Sequence, residues 1–109
     1  MEQKMVSTAF DIPGYKIVES FGKVSGASIR TRDFFGNISE SIKAMGSAKS
    51  RLYNDLCEGA RNEAYRELLK NAEELGADAI IGVRWDSNSI LDGINEIFVY
   101  GTAVKAEPV

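Results

Sequence analysis

Few side chains in this sequence are suited to catalysis or to metal binding. Its 109 residues include one cysteine, Cys57, and no histidine. Imidazole is the usual general base near neutral pH and the commonest protein ligand of zinc, copper and nickel. The composition therefore disfavours a histidine-dependent enzyme or metal centre. Cys57 also falls on the apolar stripe of a predicted helix, which predicts a buried and unreactive thiol.

Carboxylates are concentrated in residues 86–96, which contain Asp86, Asp92 and Glu96. Oxygen ligands suit hard cations, but apolar residues occupy two positions where a calcium loop needs a ligand and a glycine. The segment is therefore predicted to be a flexible hairpin connection. It also supports one functional hypothesis, a heavy-metal or metalloid site that combines Cys57 with Asp86, Asp92 or Glu96.

Four other residues combine bulk or charge with a polar tip and could bind a small molecule or an anion. They are Trp85, Arg84, Tyr100 and Asp78. Asp78 has a structural alternative, an ion pair with Arg84 or Arg61. The favoured hypothesis is a non-enzymatic protein that binds such a ligand at subunit interfaces or in a central cavity, without a cofactor. An enzyme is disfavoured because no two carboxylates are paired at a recognisable spacing.

Length and composition are those of an ordinary globular chain. A chain of this size normally makes one domain, here residues 1–109. Hydrophobic residues at 44% and charged residues at 27% fit that class. A net charge of -3 provides no general attraction for nucleic acid or for anionic membranes. With neither a secretion signal nor an apolar stretch of roughly 20 residues, the sequence predicts a cytoplasmic protein.

Apolar periodicity predicts one long helix over residues 52–75. The apolar face recurs at steps of three and four residues. It consists of Tyr53, Cys57, Ala60, Ala64, Leu68, Ala72 and Leu75. Gly76 is predicted to end the helix as its C-cap. Gly59 lies inside the helix at a cost of about 1 kcal/mol of helix propensity, which predicts that a sheet or another subunit packs closely against the helix backbone there. A shorter helix is predicted over residues 33–46.

Four strands are predicted around these helices, at residues 5–10, 15–29, 79–85 and 97–104. The second is expected to be long and bent, because Gly22 and Gly26 are typical of bulges or of close backbone approach. In the third, alternation places Ile81, Val83 and Trp85 on one face and Ile80 and Arg84 on the other. In the fourth, Ile97, Val99 and Ala103 face one side, and Phe98, Tyr100 and Val104 face the other.

Bulky residues on both faces of these strands predict an oligomer. One long helix can cover only one face of a small sheet, so a second copy is expected to cover the other. The alternative is that the N-terminal strand and the short helix cover that second face within one chain.

Five groups of residues form a specific combination that spans nearly the whole chain. They are LGADAIIGV at 75–83, Ala60-Arg61 with Ala64 and Leu68, GTAV at 101–104, IPGYKI at 12–17 and GKVSG at 22–26. Together they resemble the YbjQ-like (UPF0145) family, also labelled a "putative heavy-metal-binding domain". The resemblance implies a dodecin-like α+β subunit, with a curved antiparallel sheet wrapped on one long helix, assembled as a homopentameric ring.

Overall fold

The computed structural model describes residues 1–31, 49–91 and 94–109. A 3-10 turn, Gln3–Met5, precedes strand β1, Tyr15–Thr31. Helix α1, Lys49–Glu74, is followed by strands β2, Ala79–Leu91, and β3, Ile94–Pro108. The three strands form one antiparallel sheet in the order β1-β3-β2. This is the α+β class predicted, while the predicted short helix at 33–46 lies outside the described residues.

Helix α1 packs across β1 and β3 and buries the part of the predicted apolar stripe from Ala60 to Ala72. Cys57 and Leu75, which were predicted to belong to the same stripe, are exposed. Ala64, Leu68 and Ala72 are fully buried on the helix side. The sheet side of this core consists of Val24, Ile80, Val83, Val99 and Ala103. Buried positions on the helix advance in four-residue steps, so one narrow line of mostly small side chains meets the sheet. In the described part of the chain, no helix is long and apolar enough to cross a membrane.

The backbones of helix and sheet approach each other closely at Gly26. A β-carbon at this position would overlap the carbonyl oxygen of Ala64 and lie 2.5 Å from the backbone nitrogen of Leu68. The helix backbone therefore rests directly on β1 at this point. Gly59, where the sequence predicted such an approach, is exposed, and no atom lies within 4 Å of its potential β-carbon. The sheet contacts a different face of the helix, so the prediction that a sheet packs closely at Gly59 is wrong. Packing of another subunit at Gly59 stays a prediction.

Strand β1 is long and bent, as predicted. Its register with β3 shifts between Ile17 and Glu19 and again between Ser20 and Gly22. Gly22 has a φ of 89°, a left-handed conformation that side-chain-bearing residues rarely adopt. The two bulges bend the strand, so that it can pair with β3 from Tyr15↔Pro108 to Thr31↔Ile94.

Strand β2 departs from the predicted alternation. Its register with β3 skips between Ile81 and Arg84, and Gly82 in that gap has a φ of 61°. The bulge places Ile80 and Val83 in the same core under the helix, although simple alternation assigned them to opposite faces. The antiparallel pairing of β2 with β3 confirms the predicted hairpin, but the flexible connection predicted at residues 86–96 is wrong, because β2 continues to Leu91 and β3 begins at Ile94.

The N-terminal segment covers part of the second face of the sheet. Met5 and Ile12 pack there against Ala79, Val104 and Ala106. The strand predicted at residues 5–10 is reduced to a 3-10 turn and a single parallel bridge, Val6↔Ile80. Beyond it, the backbone at residues 7–9 forms hydrogen bonds with the bulged part of β2. The bulge breaks the regular ladder, which explains why no full strand forms. One alternative to an oligomer was that the N-terminal segment and the short helix cover this second face within one chain. The packing of Met5 and Ile12 confirms this for the N-terminal segment.

Two further contacts fix the position of α1. Gly76 has a φ of 85°, and its amide and that of Ala77 donate to the carbonyls of Glu73 and Ala72, which confirms the predicted C-cap. On β1, Arg30 donates to Glu63 at 2.7 Å, and this guanidinium lowers the pKa of the Glu63 carboxyl. The helix is thus held at its C-terminal end and along its middle.

The two glycines provide a matched test of the helix–sheet contact. Gly26→Ala should lower the free energy of unfolding by about 2 kcal/mol or more, because its methyl group overlaps the α1 backbone. Gly59→Ala should raise it by about 0.5–1 kcal/mol, because alanine suits an open helical position better than glycine. Urea denaturation measures both changes, and equal effects of the two substitutions would contradict the assigned contact.

Candidate functional site

A groove of about 350 Å³ lies beside α1 on the helix-facing side of the β2–β3 hairpin. Its lining consists of Cys57, Arg61, Trp85, Asp86, Ser87 and Ile97. The groove exists because α1 packs over β1 and β3 and leaves this part of β2 uncovered. Trp85 pairs with Val99 and Ser87 pairs with Ile97, so these four residues share the face that carries the helix.

Trp85 forms an aromatic wall of the groove. Its side chain remains 44% exposed, and its ring stacks on Tyr65 with centroids 6.4 Å apart and an interplanar angle of 17°. Tyr65 is partly buried against the helix–sheet core, and loss of hydration raises the pKa of its hydroxyl above the usual 10.0. A neutral, partly buried phenol therefore supports the exposed indole from one side.

Arg61 supplies the cationic element of the groove. Three other arginines have polar partners: Arg30 binds Glu63, Arg66 donates to the carbonyl of Asn62 and Arg84 donates to the carbonyl of Thr8. Within residues 1–31, 49–91 and 94–109, Arg61 forms no hydrogen bond or ion pair. Its guanidinium is available to an anion that enters the groove.

Cys57 is exposed, which corrects the prediction of a buried thiol. The buried line on α1 runs from Ala60 to Ala64, Leu68 and Ala72 in steps of four. Cys57 precedes Ala60 by three residues, so it lies to the side of that line. There it borders the groove, one helical turn before Arg61.

The four residues predicted to bind a small molecule are not brought together. Trp85 lines the groove. Arg84 and Tyr100 are cross-strand partners on the opposite face of the sheet, because neighbouring residues of a strand alternate between faces. Arg84 donates to the carbonyls of Thr8 and Val83 at 2.8 Å and lies 5.7 Å from the centre of the Phe10 ring. It therefore fastens the N-terminal segment to β2.

Tyr100 and Asp78 also have structural contacts. Tyr100 stacks on Phe98 with ring centroids 5.4 Å apart. Asp78 accepts a hydrogen bond from the backbone nitrogen of Ala106 at 3.3 Å, and its own backbone nitrogen donates to Val104 at 3.0 Å. The expected pairing of Asp78 with an arginine is thus replaced by backbone contacts that join the end of α1 to β3.

The residues of the metal hypothesis are partly brought together. Cys57 and Asp86 line the same groove, and the Asp86 carboxylate accepts a hydrogen bond from the Ser87 nitrogen at 3.0 Å. Glu96 lies farther along β3, opposite Asn88, while Asp92 lies outside the described residues. Among the residues that the structure describes, no group of three or more cysteine, aspartate and glutamate side chains could hold a metal ion.

Sequence reasoning missed Tyr65, Ser87 and Ile97, and it considered Arg61 only as an ion-pair partner. A usable signal was present on the helix: Cys57, Arg61 and Tyr65 are spaced by four residues and so share one face. The strand residues could not be assigned to the groove, because residues 86–96 were expected to form a loop.

Residues 4–107 match the model of a family described as "Putative heavy-metal-binding", YbjQ_1. The chain belongs to the YbjQ-like family. Similar proteins include a UPF0145 protein of Chromobacterium violaceum, 42% identical over 97% of this chain and 91% of that protein. A UPF0145 protein of Burkholderia thailandensis is 39% identical over 96% of this chain and 95% of that protein. The family resemblance seen in the sequence is therefore confirmed.

A solved structure shows the same fold. It is the crystal structure of a protein of unknown function from Pediococcus pentosaceus, assigned to the DUF74 family. The two superpose with a TM-score of 0.61 over 97% of this chain and 100% of that chain. Their sequences are 21% identical, so the likeness concerns the fold alone.

The raised pKa of Tyr65 predicts a loss of stability in alkali. The folded state binds the proton of the Tyr65 hydroxyl more tightly than the unfolded state does. The protonated hydroxyl therefore makes its full contribution to the free energy of unfolding below the unfolded pKa, about 10. This contribution is lost as the pH rises through the higher pKa of the folded state. Between about pH 9 and pH 11, the free energy of unfolding should therefore fall less in Tyr65→Phe than in the parent protein. Urea denaturation across this range measures the difference, and identical pH dependence would contradict it.

Proposed function

We propose that the protein is a non-enzymatic, cytoplasmic homo-oligomer that binds a small molecule or anion in the groove beside α1. The observation that carries this proposal is the juxtaposition of a half-exposed Trp85 with the uncommitted Arg61 in one concave site. Ligand sites typically combine an apolar or aromatic wall with a few placed polar groups. The groove has such an aromatic wall and polar group in Trp85 and Arg61. The other candidates from the sequence, Arg84, Tyr100 and Asp78, do not line it.

Exposed apolar surface supports the proposed oligomer. Ile29 is 54% exposed and Leu91 is 63% exposed, both towards the end of the sheet that the N-terminal segment does not cover. The chain is elongated, with extents of 54 × 28 × 19 Å and a radius of gyration of 17.1 Å. A compact domain of this length has a radius of about 13 Å. Association would bury this surface.

Strand edges that have no partner strand among the described residues give a second reason for association. β1 and β2 are the outer strands of the sheet, and hydrogen bonding by the N-terminal segment to β2 is found at residues 80–83. Unpaired edges readily pair with strands of another chain. A head-to-tail arrangement of such contacts forms a ring when the rotation between neighbouring subunits closes. The closed ring that we propose has five subunits, as the family resemblance implies.

Native mass spectrometry of untagged protein tests the oligomer and the ligand together. A pentamer with additional mass is expected from protein purified without chelator. Trp85→Ala should lose the additional mass because the aromatic wall is removed, whereas Trp85→Phe should retain part of it because a ring remains. A bare monomer would contradict the oligomer, and undiminished additional mass in Trp85→Ala would contradict the assigned site.

Heavy-metal binding is a second candidate, because an exposed thiol and a carboxylate line the same groove. Cys57 and Asp86 are those donors. Thiolates select soft metals, and carboxylates can complete the coordination of cadmium or zinc. Two donors in one chain leave most of a coordination shell to be supplied by solvent or by other subunits.

Cadmium uptake distinguishes this candidate from the first. If the groove binds the metal, the parent protein should retain cadmium after gel filtration, and Cys57→Ser should lose most of it because the thiolate is removed. Glu58→Gln is a matched control on the same exposed stretch of helix and should retain the metal. Absence of cadmium from the parent protein, or equal retention by Cys57→Ser, would contradict a metal site in the groove.

A further inference from the structure

We infer that the ligand of the groove is a planar aromatic molecule with a negative charge, stacked on Trp85 and paired with Arg61. This inference rests on the proposed function of the groove as a binding site, and it specifies the chemical class of the ligand. It follows from the aromatic wall, the uncommitted cation and the dimensions of the site.

The aromatic wall favours a flat ligand. Trp85 is held by stacking on Tyr65, yet 44% of its surface remains open to solvent. Aromatic rings prefer offset stacking with centroids about 4.5–7 Å apart, and such pairs add to the stabilisation from burial of apolar area. An indole already fixed by one ring loses little conformational freedom when another ring packs against it. A planar ring thus gains more from this wall than a saturated one does.

The cation favours a negatively charged substituent. Arg61 lies on the helix across the groove from the strand residues, and it has no polar partner in the described parts of the chain. A guanidinium presents paired donors that match a carboxylate or phosphate. Asp86 also lines the groove, but its carboxylate accepts a hydrogen bond from the Ser87 nitrogen at 3.0 Å and forms no ion pair with Arg61 in the described parts of the chain.

The size and lining of the groove limit the ligand further. A volume of about 350 Å³ lies at the lower end of the range for small-molecule sites, about 300–1,000 Å³, and suits one or two fused rings. Ile97 adds apolar surface, and Ser87 adds a polar group on the same face as Trp85. A small aromatic carboxylate or phosphate meets each of these conditions.

Three probes separate the two parts of the inference. 2-Naphthoate is planar and anionic, 2-naphthalenemethanol is planar and neutral, and decahydro-2-naphthoate is anionic and saturated. Isothermal titration calorimetry gives each dissociation constant. Slower alkylation of Cys57 by iodoacetamide reports binding in the groove, because Cys57 is the only cysteine of the chain and borders this site.

2-Naphthoate should bind at least about 10-fold more tightly than either analogue, as expected for a charge-assisted hydrogen bond and for aromatic stacking. It should also slow the alkylation of Cys57. Arg61→Gln should weaken the binding of 2-naphthoate until its dissociation constant matches that of 2-naphthalenemethanol. Arg66→Gln, which removes the same charge from the same helix at a residue outside the groove lining, should leave the affinity unchanged.

The failures of the inference and of the proposed function have different signatures. If all three probes protect Cys57 with similar affinities, the groove binds small molecules but the inferred ligand class is wrong. Equal losses in Arg61→Gln and Arg66→Gln would likewise overturn the pairing with Arg61. If none of the probes binds or protects Cys57, both the inference and the proposed small-molecule function of the groove are overturned.

Discussion

The structure depends on the direct contact between the α1 backbone and β1 at Gly26. This contact fixes the distance between helix and sheet, and that distance admits only small side chains at Ala64 and Ala72 while Leu68 fills the space between them. It also fixes where α1 lies across the sheet. Because the helix covers β1 and β3, the distal part of β2 has no cover on the same face from the part of the chain that the structure describes. The groove is a consequence of this asymmetry.

The groove combines side chains that have no common sequence signature. Cys57, Arg61 and Tyr65 come from one face of the helix, whereas Trp85 and Ser87 come from a strand whose register is set by the bulge at Gly82. Without that bulge, every residue of β2 after Ile81 would face the opposite side of the sheet. Trp85 would then point away from the helix. A single left-handed glycine thus determines which residues α1 meets.

Sequence patterns were sufficient where one periodicity held over a long segment, as in α1 and β1, and where a glycine had a single plausible role, as Gly76 did at the end of the helix. They failed where a local irregularity changed the pattern. The bulge in β2 changed which of its residues face the helix. The polar residues at 86–96 were predicted to form a loop, although they belong largely to strands with solvent-exposed side chains. Cys57 was wrongly predicted to be buried. Residues spaced by three or four form a broad face of the helix, but the sheet covers only the narrow line from Ala60 to Ala72.

The position of β3 in the sheet affects how the chain is assembled during synthesis. β3 is the central strand, although it follows β1, α1 and β2 in the sequence. β2 can pair with it through a short hairpin, but β1 must wait until residues as distant as Pro108 have been made. Such long-range pairing closes a large loop and folds slowly. Nascent β1 therefore spends most of translation as an unpaired strand, the species most exposed to premature association with neighbouring chains.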